Sequence, residues 1–133
     1  MSVVEGPFAE RGLNVLGGPL RTCGMDPVTG FFRDGCCRTC EQDVGAHTVC
    51  CVVTEDFLAF SMRAGNDLST PRPEFGFAGL NPGDAWCVCA SRWQEAFEAG
   101  AAPGVVLEAT HARTLDYAQL EDLMSHAVGR VSH

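Results

Sequence analysis

Lysine is missing from this 133-residue chain altogether: all nine of its basic residues are arginine. Without a lysine amine there is no Schiff base with a carbonyl substrate and no lysine-bound pyridoxal phosphate. Clusters of positive charge are missing too. With 17 acidic residues against nine basic ones the formal net charge is -8, so the basic surface that nucleic-acid phosphates require is not there. No apolar run approaches the roughly 20 residues of a membrane helix. The opening MSVVEGPFAERG has neither the basic n-region nor the long apolar h-region of an export signal. No nucleic acid, no membrane and a cytoplasmic location are therefore expected. The chain also contains no Gly-x-Ser-x-Gly, phosphate loop, dinucleotide fingerprint or His-Glu-x-x-His motif.

Cysteine, by contrast, is abundant. Five of the eight lie between residues 29 and 51, in TGFFRDGCCRTCEQDVGAHTVCC, and Cys87 and Cys89 form a second cluster in WCVCASRW. Thiolates bind soft metals, attack electrophiles or pair as disulfides, and the clusters narrow the chemistry to those three. A chain of this length can bury one real core without covalent or metal staples, and 46% hydrophobic with 20% charged residues places it in the globular class. In a reducing cytosol most of the eight thiols should be free or metal-bound.

Residues 1–12 show no apolar periodicity and read as a flexible N-terminal arm, with a single α+β domain over 13–133. HTVCCVVT at 47–54 is β-branched and uncharged, the pattern of a buried central strand. Thr54 follows as an N-cap, with Glu55 and Asp56 in the first turn of a helix that Gly65 ends. Residues 66–84 hold three prolines and three glycines, so a long loop is expected there, either functional or wrapped on the core. Residues 85–91 alternate Trp86, Val88 and Ala90 with Cys87, Cys89 and Ser91, a strand whose two cysteines share one face. A short helix at 92–99, a strand at 105–109 and an amphipathic helix at 117–127 complete a compact α+β domain. The expected architecture is a small, mainly antiparallel sheet with helices packed mostly on one face.

The segments TGFFRDGCC, DVGAHTVC, FGFAGLNPGDAWCVCASRW and VVLEATH give the chain, over roughly residues 14–127, a resemblance to an uncharacterised, mostly bacterial family, the domain of unknown function numbered twenty-two thirty-seven. The resemblance implies one α+β domain and lends no activity. It also implies that Cys23, Cys36, Cys37, Cys50, Cys87, Cys89, His47 and His111 fall on the family pattern, whereas Cys40 and Cys51 stand where other members carry no thiol.

Two functions remain open on the residues themselves. The first is a thiol-lined pocket between the clusters. As a catalytic site it would use Cys36, Cys37 or Cys50 as thiol, His47 as base, and Arg33 or Arg92 as the positive charge that activates the sulfur. As a soft-metal site, zinc being the candidate, it would draw its ligands from Cys36, Cys37, Cys50, Cys87 and Cys89. The second is a non-catalytic accessory module that binds a partner through the 66–84 loop and uses its cysteines for packing, since Cys is among the most buried residue types. On that bland reading His47 caps a strand end, His111 caps a turn, and Arg33 pairs with Asp34. If the two best strands are neighbours, Cys50 faces Cys87 or Cys89, and the loop carrying Cys36 and Cys37 folds over the same face.

Overall fold

The computed structural model describes residues 12–129, so the expected arm lies, apart from Gly12, outside the described residues. HTVCCV forms β1 (His47–Val52), AWCVC forms β2 (Ala85–Cys89), and a two-residue strand, β3 (Gly104–Val105), completes the sheet. The order is β2-β1-β3 with β1 in the middle, antiparallel to both neighbours. Three α-helices accompany it: α1 (Glu55–Arg63), α2 (Ala90–Glu98) and α3 (Leu120–Ser125). Thr54 caps α1 as its position suggests, its hydroxyl accepting from the Phe57 N–H at 3.1 Å. Among the described residues no helix is long and apolar enough to cross a membrane.

Strand alternation divides the molecule into two layers. Val49, Cys51, Trp86 and Val88 face the helices, where they join Phe57, Trp93 and Leu123 in the main core. Cys50 and Cys87 point to the opposite face and pack with Cys23, Cys37, Val106 and Ala109 in a smaller cluster beneath the loops. The loops are tied down by hydroxyls. Thr29 Oγ1 accepts from the Cys87 N–H at 2.8 Å and Thr110 Oγ1 from the Cys50 N–H at 3.1 Å, so each strand feeds a backbone donor to a threonine far away in sequence.

The same threonine explains why the strand expected over 105–109 is short. Thr110 Oγ1 also donates to the Val106 carbonyl at 2.9 Å, and the chain closes into a 3-10 turn at Leu107–Ala109 instead of continuing the ladder. The last helix is shorter than the pattern over 117–127 suggests. A 3-10 turn occupies Ala112–Asp116, Tyr117 terminates it, and Gln119 is extended (φ -87°, ψ 142°) before α3 begins. The long loop at 66–84 is ordered by its own side chains. Asp67 accepts from the Ser69 and Thr70 N–H groups and from the Thr70 hydroxyl, while Arg72 and Phe77 exchange backbone bonds of 2.7 and 3.1 Å.

Candidate thiol site

Four of the eight cysteines are joined in disulfides, Cys23–Cys50 and Cys37–Cys87, which departs from the expectation that most would be free or metal-bound. The cause is register: Cys50 and Cys87 are direct cross-strand partners, and the loops carrying Cys23 and Cys37 lie over that one pair. The fold thus brings Cys37 and Cys50 together with Cys87, and sequence reasoning gave Cys23 no place among the candidate site residues. The sulfurs of Cys23, Cys37 and Cys87 all lie within 4.8 Å of one another. Cys36, Cys40, Cys51 and Cys89 remain free. Cys36 is buried, with Thr22 Oγ1 3.9 Å from its sulfur, and Cys51 is buried in the main core, where loss of hydration pushes its thiol pKa well up.

Cys40 and Cys89 are both partly exposed; Cys40 donates to Gln42 Oε1 at 3.1 Å, whereas Cys89 lies at the last position of β2, where α2 begins. Its register partner is His47, at the first position of β1. Between His47 and Val49 the pairing slips: β1 advances two residues while β2 advances one, from Cys89 to Val88. Such a bulge re-aims the side chains beside it. Ala46, just before it, takes a left-handed backbone (φ +51°), a conformation that costs a side-chain-bearing residue about 1–2 kcal/mol. Its carbonyl compensates by accepting from the Thr48 N–H at 2.7 Å and from the Ala90 N–H at 2.9 Å. That second bond fastens the residue before His47 to the residue after Cys89. Gly45 closes the arrangement: a Cβ there would meet the Cys89 sulfur at 2.8 Å and His47 Cε1 at 3.4 Å.

The imidazole is held from behind by Asp43. Its Nδ1 donates to Asp43 Oδ1 at 2.6 Å, and Asp43 Oδ2 accepts from the His47 N–H at 2.9 Å and from Thr39 Oγ1 at 3.0 Å. Asp43 is only 5% exposed, so this carboxylate is committed to those three donors. With Nδ1 taken, Nε2 is the nitrogen left for the sulfur. The His47 pKa is raised from 6.5 to about 9: the hydrogen bond with Cys89 does most, burial works against it, and the hydrogen bond to Asp43 and the charges of both partners add to the rise. A thiol, an imidazole and a buried carboxylate in sequence have the connectivity of a nucleophile, a base and the group that orients the base.

Cys89 and His47 open onto a cavity of about 390 Å³, with Asp43 behind them. One wall is β2, with Trp86, Cys87, Val88 and Cys89, and a second is the turn that presents Phe31 and Arg33. Phe31 stacks on His47 at 6.1 Å between ring centroids. The third wall is the ordered loop, through Asn66, Leu68, Arg72, Phe75 and Phe77, and Phe77 packs on Trp86 at 5.3 Å. Arg33 does not pair with Asp34 as expected. Its backbone is left-handed (φ +54°), its Nη1 donates to the Gly30 carbonyl at 2.8 Å, and its guanidinium lies 5.0 Å from the Trp86 ring centroid. Asp34 pairs instead with Arg38 at 2.8 Å. His111 caps a turn, accepting the Arg113 N–H at 3.0 Å.

Of the candidate residues, His47 and Arg33 therefore line one cavity with Cys87 and Cys89. Cys36, Cys37 and Cys50 are not among its lining residues. Asp43 was not legible as a partner, although its position four residues before His47 is a signal that a loop can bring into use. A bulged antiparallel sheet with one covalently pinned face and one exposed thiol–imidazole pair defines a cysteine-rich α+β protein. The chain belongs to the family described as uncharacterised protein conserved in bacteria, DUF2237, whose model matches residues 13–127. No curated protein matches it.

Proposed function

We propose that the protein carries out covalent thiol chemistry, with Cys89 as nucleophile, His47 as its proton partner and Asp43 as the residue that orients His47. The observation that carries this reading is that the partly exposed Cys89 meets, inside a cavity, an imidazole whose other nitrogen is fixed by a buried carboxylate. The Cys89 sulfur, its proton passing to His47, attacks an electrophilic carbon to form a sulfur–carbon bond, and the bond from that carbon to its leaving group breaks. The imidazolium is placed to return its proton to the departing group. The start of α2 beside the sulfur adds the positive end of a helix dipole. The test is iodoacetamide labelling of native protein, mapped by peptide mass. Cys89 should be modified first, and His47→Gln should slow it by about a hundredfold, the low end of what a positioned acid–base group contributes. Faster labelling of Cys40, with Cys89 inert, would remove the proposal.

A second reading, soft-metal binding, is favoured by the proximity of the Cys23, Cys37 and Cys87 sulfurs. As disulfides these atoms are not thiolates. Reduction of both bonds by an added dithiol, four electrons and four protons in all, would give four thiols from Cys23, Cys37, Cys50 and Cys87 in one cluster, the donor set of a structural zinc site. Cys36 and Cys89 lie apart from that cluster, one beside Thr22 and the other at His47. Zinc titration of the reduced protein, followed by elemental analysis after desalting, checks it. One equivalent retained by the native sequence and lost in Cys23→Ser supports it, and no retained zinc excludes it.

A further inference from the structure

The walls around Cys89 carry a charge opposite to that of the chain. Formal net charge is -8, yet among the described residues neither aspartate nor glutamate lines the cavity, while Arg33, Arg72 and His47 all do. Asp43, Asp67 and Asp34, next to the lining residues, are already engaged, Asp34 with Arg38. Asp43 sits behind His47 with three donors on it, and Asp67 is held by Thr70 and two backbone N–H groups while it also acts on Arg72. Both arginines are also positioned. The Arg33 guanidinium is fixed by the Gly30 carbonyl and the Trp86 ring, and the backbone of Arg72 by its paired bonds with Phe77. Apart from the polar Asn66, the remaining surface is apolar and partly aromatic, with Phe31, Leu68, Phe77 and Trp86 among its residues. A volume of about 390 Å³ is near the small end of ligand pockets, roughly 300–1,000 Å³.

Resting on the thiol reading above, we infer that the substrate is a small carboxylate-bearing electrophile with a planar apolar body, its carboxylate taken by Arg33 and Arg72 and its reactive carbon presented to Cys89. Guanidinium groups match carboxylates through two parallel hydrogen bonds, which fixes orientation as well as charge. The aromatic walls would take the flat body by stacking. The whole molecule, being acidic, would repel the same anion everywhere else, so the cavity is where such a molecule concentrates.

Iodoacetate and iodoacetamide separate charge from reactivity, since both form the same sulfur–carbon bond and release iodide. The rate ratio of the two at Cys89, measured on the full chain by peptide mass, is compared with their ratio on glutathione. The cavity should shift that ratio toward iodoacetate by about tenfold or more, the lower range of electrostatic focusing. Arg72→Gln should return it toward the glutathione value. In a second arm, phenylacetate should protect Cys89 from iodoacetamide and phenylacetamide should not. If iodoacetamide labels Cys89 rapidly but the ratio equals that of glutathione, or if phenylacetamide protects equally, the anion assignment is overturned while the thiol site stands. If neither reagent reaches Cys89, the thiol reading fails and this inference with it.

Discussion

Replacing Gly45 by alanine tests the thiol–imidazole geometry through one close contact with the Cys89 sulfur. The added carbon would lie 2.8 Å from the Cys89 sulfur, inside the distance at which carbon and sulfur repel, and 3.4 Å from His47 Cε1. Cysteine has a single side-chain torsion, so the sulfur must leave its place beside the imidazole or the bulge must open. Overpacking of this kind costs about 1–3 kcal/mol, against which the lower entropy of an unfolded chain with alanine returns about 0.4–1 kcal/mol. A net loss of about 1–2 kcal/mol follows in the native background. With Cys89→Ala the sulfur is gone, and the nearest remaining contacts, at 3.4 Å and at 3.8 Å to the residue-89 Cβ, are ordinary ones. Gly45→Ala should then cost about nothing, giving a coupling energy of about 1–2 kcal/mol between positions 45 and 89. Urea midpoints for the four members of the cycle, at constant slope, measure it. Alkylation of Cys89 should slow in the single mutant. An equal cost of Gly45→Ala in both backgrounds would refute the close approach and with it the alignment of Cys89 on His47.

Further outcomes follow from the same geometry. Because the His47 pKa is raised in the folded state, from 6.5 to about 9, its contribution to stability is fully present below pH 6.5 and is lost as pH rises through 9. His47→Gln should flatten that limb of a stability-against-pH profile measured by urea unfolding. Asp43→Asn replaces a buried acceptor of three hydrogen bonds by a group that must donate, and should cost about 2 kcal/mol or more while sharply slowing Cys89 alkylation. A thermal melt together with labelling kinetics checks both effects. Removing the Cys37–Cys87 bond as a double serine variant opens a loop with a sequence separation of 50 residues, for which chain entropy gives a loss of about 4 kcal/mol. Unfolding compared with the native protein under non-reducing conditions measures it, and a loss below about 1 kcal/mol would mean that Cys37–Cys87 is not formed.

What was legible in the sequence is what short-range pattern encodes. HTVCCV and WCVC announce strands by branching and alternation, Thr54 announces a helix start, and together they suffice for an α+β domain with Cys50 facing Cys87 or Cys89, of which the register selects Cys87. Residues acting through distant partners were not legible. Thr110 cuts short the strand expected at 105–109 by bonding Val106 and a strand 60 positions away, and no local propensity carries that information. Asp43 lies in a loop without periodicity, and its alignment on His47 depends on the left-handed Ala46 and on the slip at Thr48. Arg33 stands beside Asp34 in sequence, yet its backbone turns it toward Trp86 and leaves Asp34 to Arg38. Which of eight thiols pair is likewise fixed by the tertiary approach of four segments rather than by spacing.

The two-residue period of β2 is what lets one short segment serve two chemistries. Trp86 and Val88 point to the helices and anchor the strand in the main core, so the strand cannot rotate or slip without exposing both. Cys87 and Cys89 therefore stay on the loop side, and their different fates follow from what each meets there. Cys87 lies deep, opposite Cys50 and under the loop of Cys37, and is consumed in a bond that holds the neighbouring turn, with Phe31 and Arg33, against the sheet. Cys89, at the strand's end, lies over Gly45, where the absence of a side chain leaves room for the sulfur and for an imidazole. Cys87 is thus bonded while Cys89 is a free thiol, and the covalent pin on one helps hold the cavity wall beside the other. Breaking Cys37–Cys87 should consequently loosen the Arg33 wall before it disturbs the His47–Cys89 pair, because the bonds joining Asp43, Ala46 and Ala90 do not pass through the disulfide.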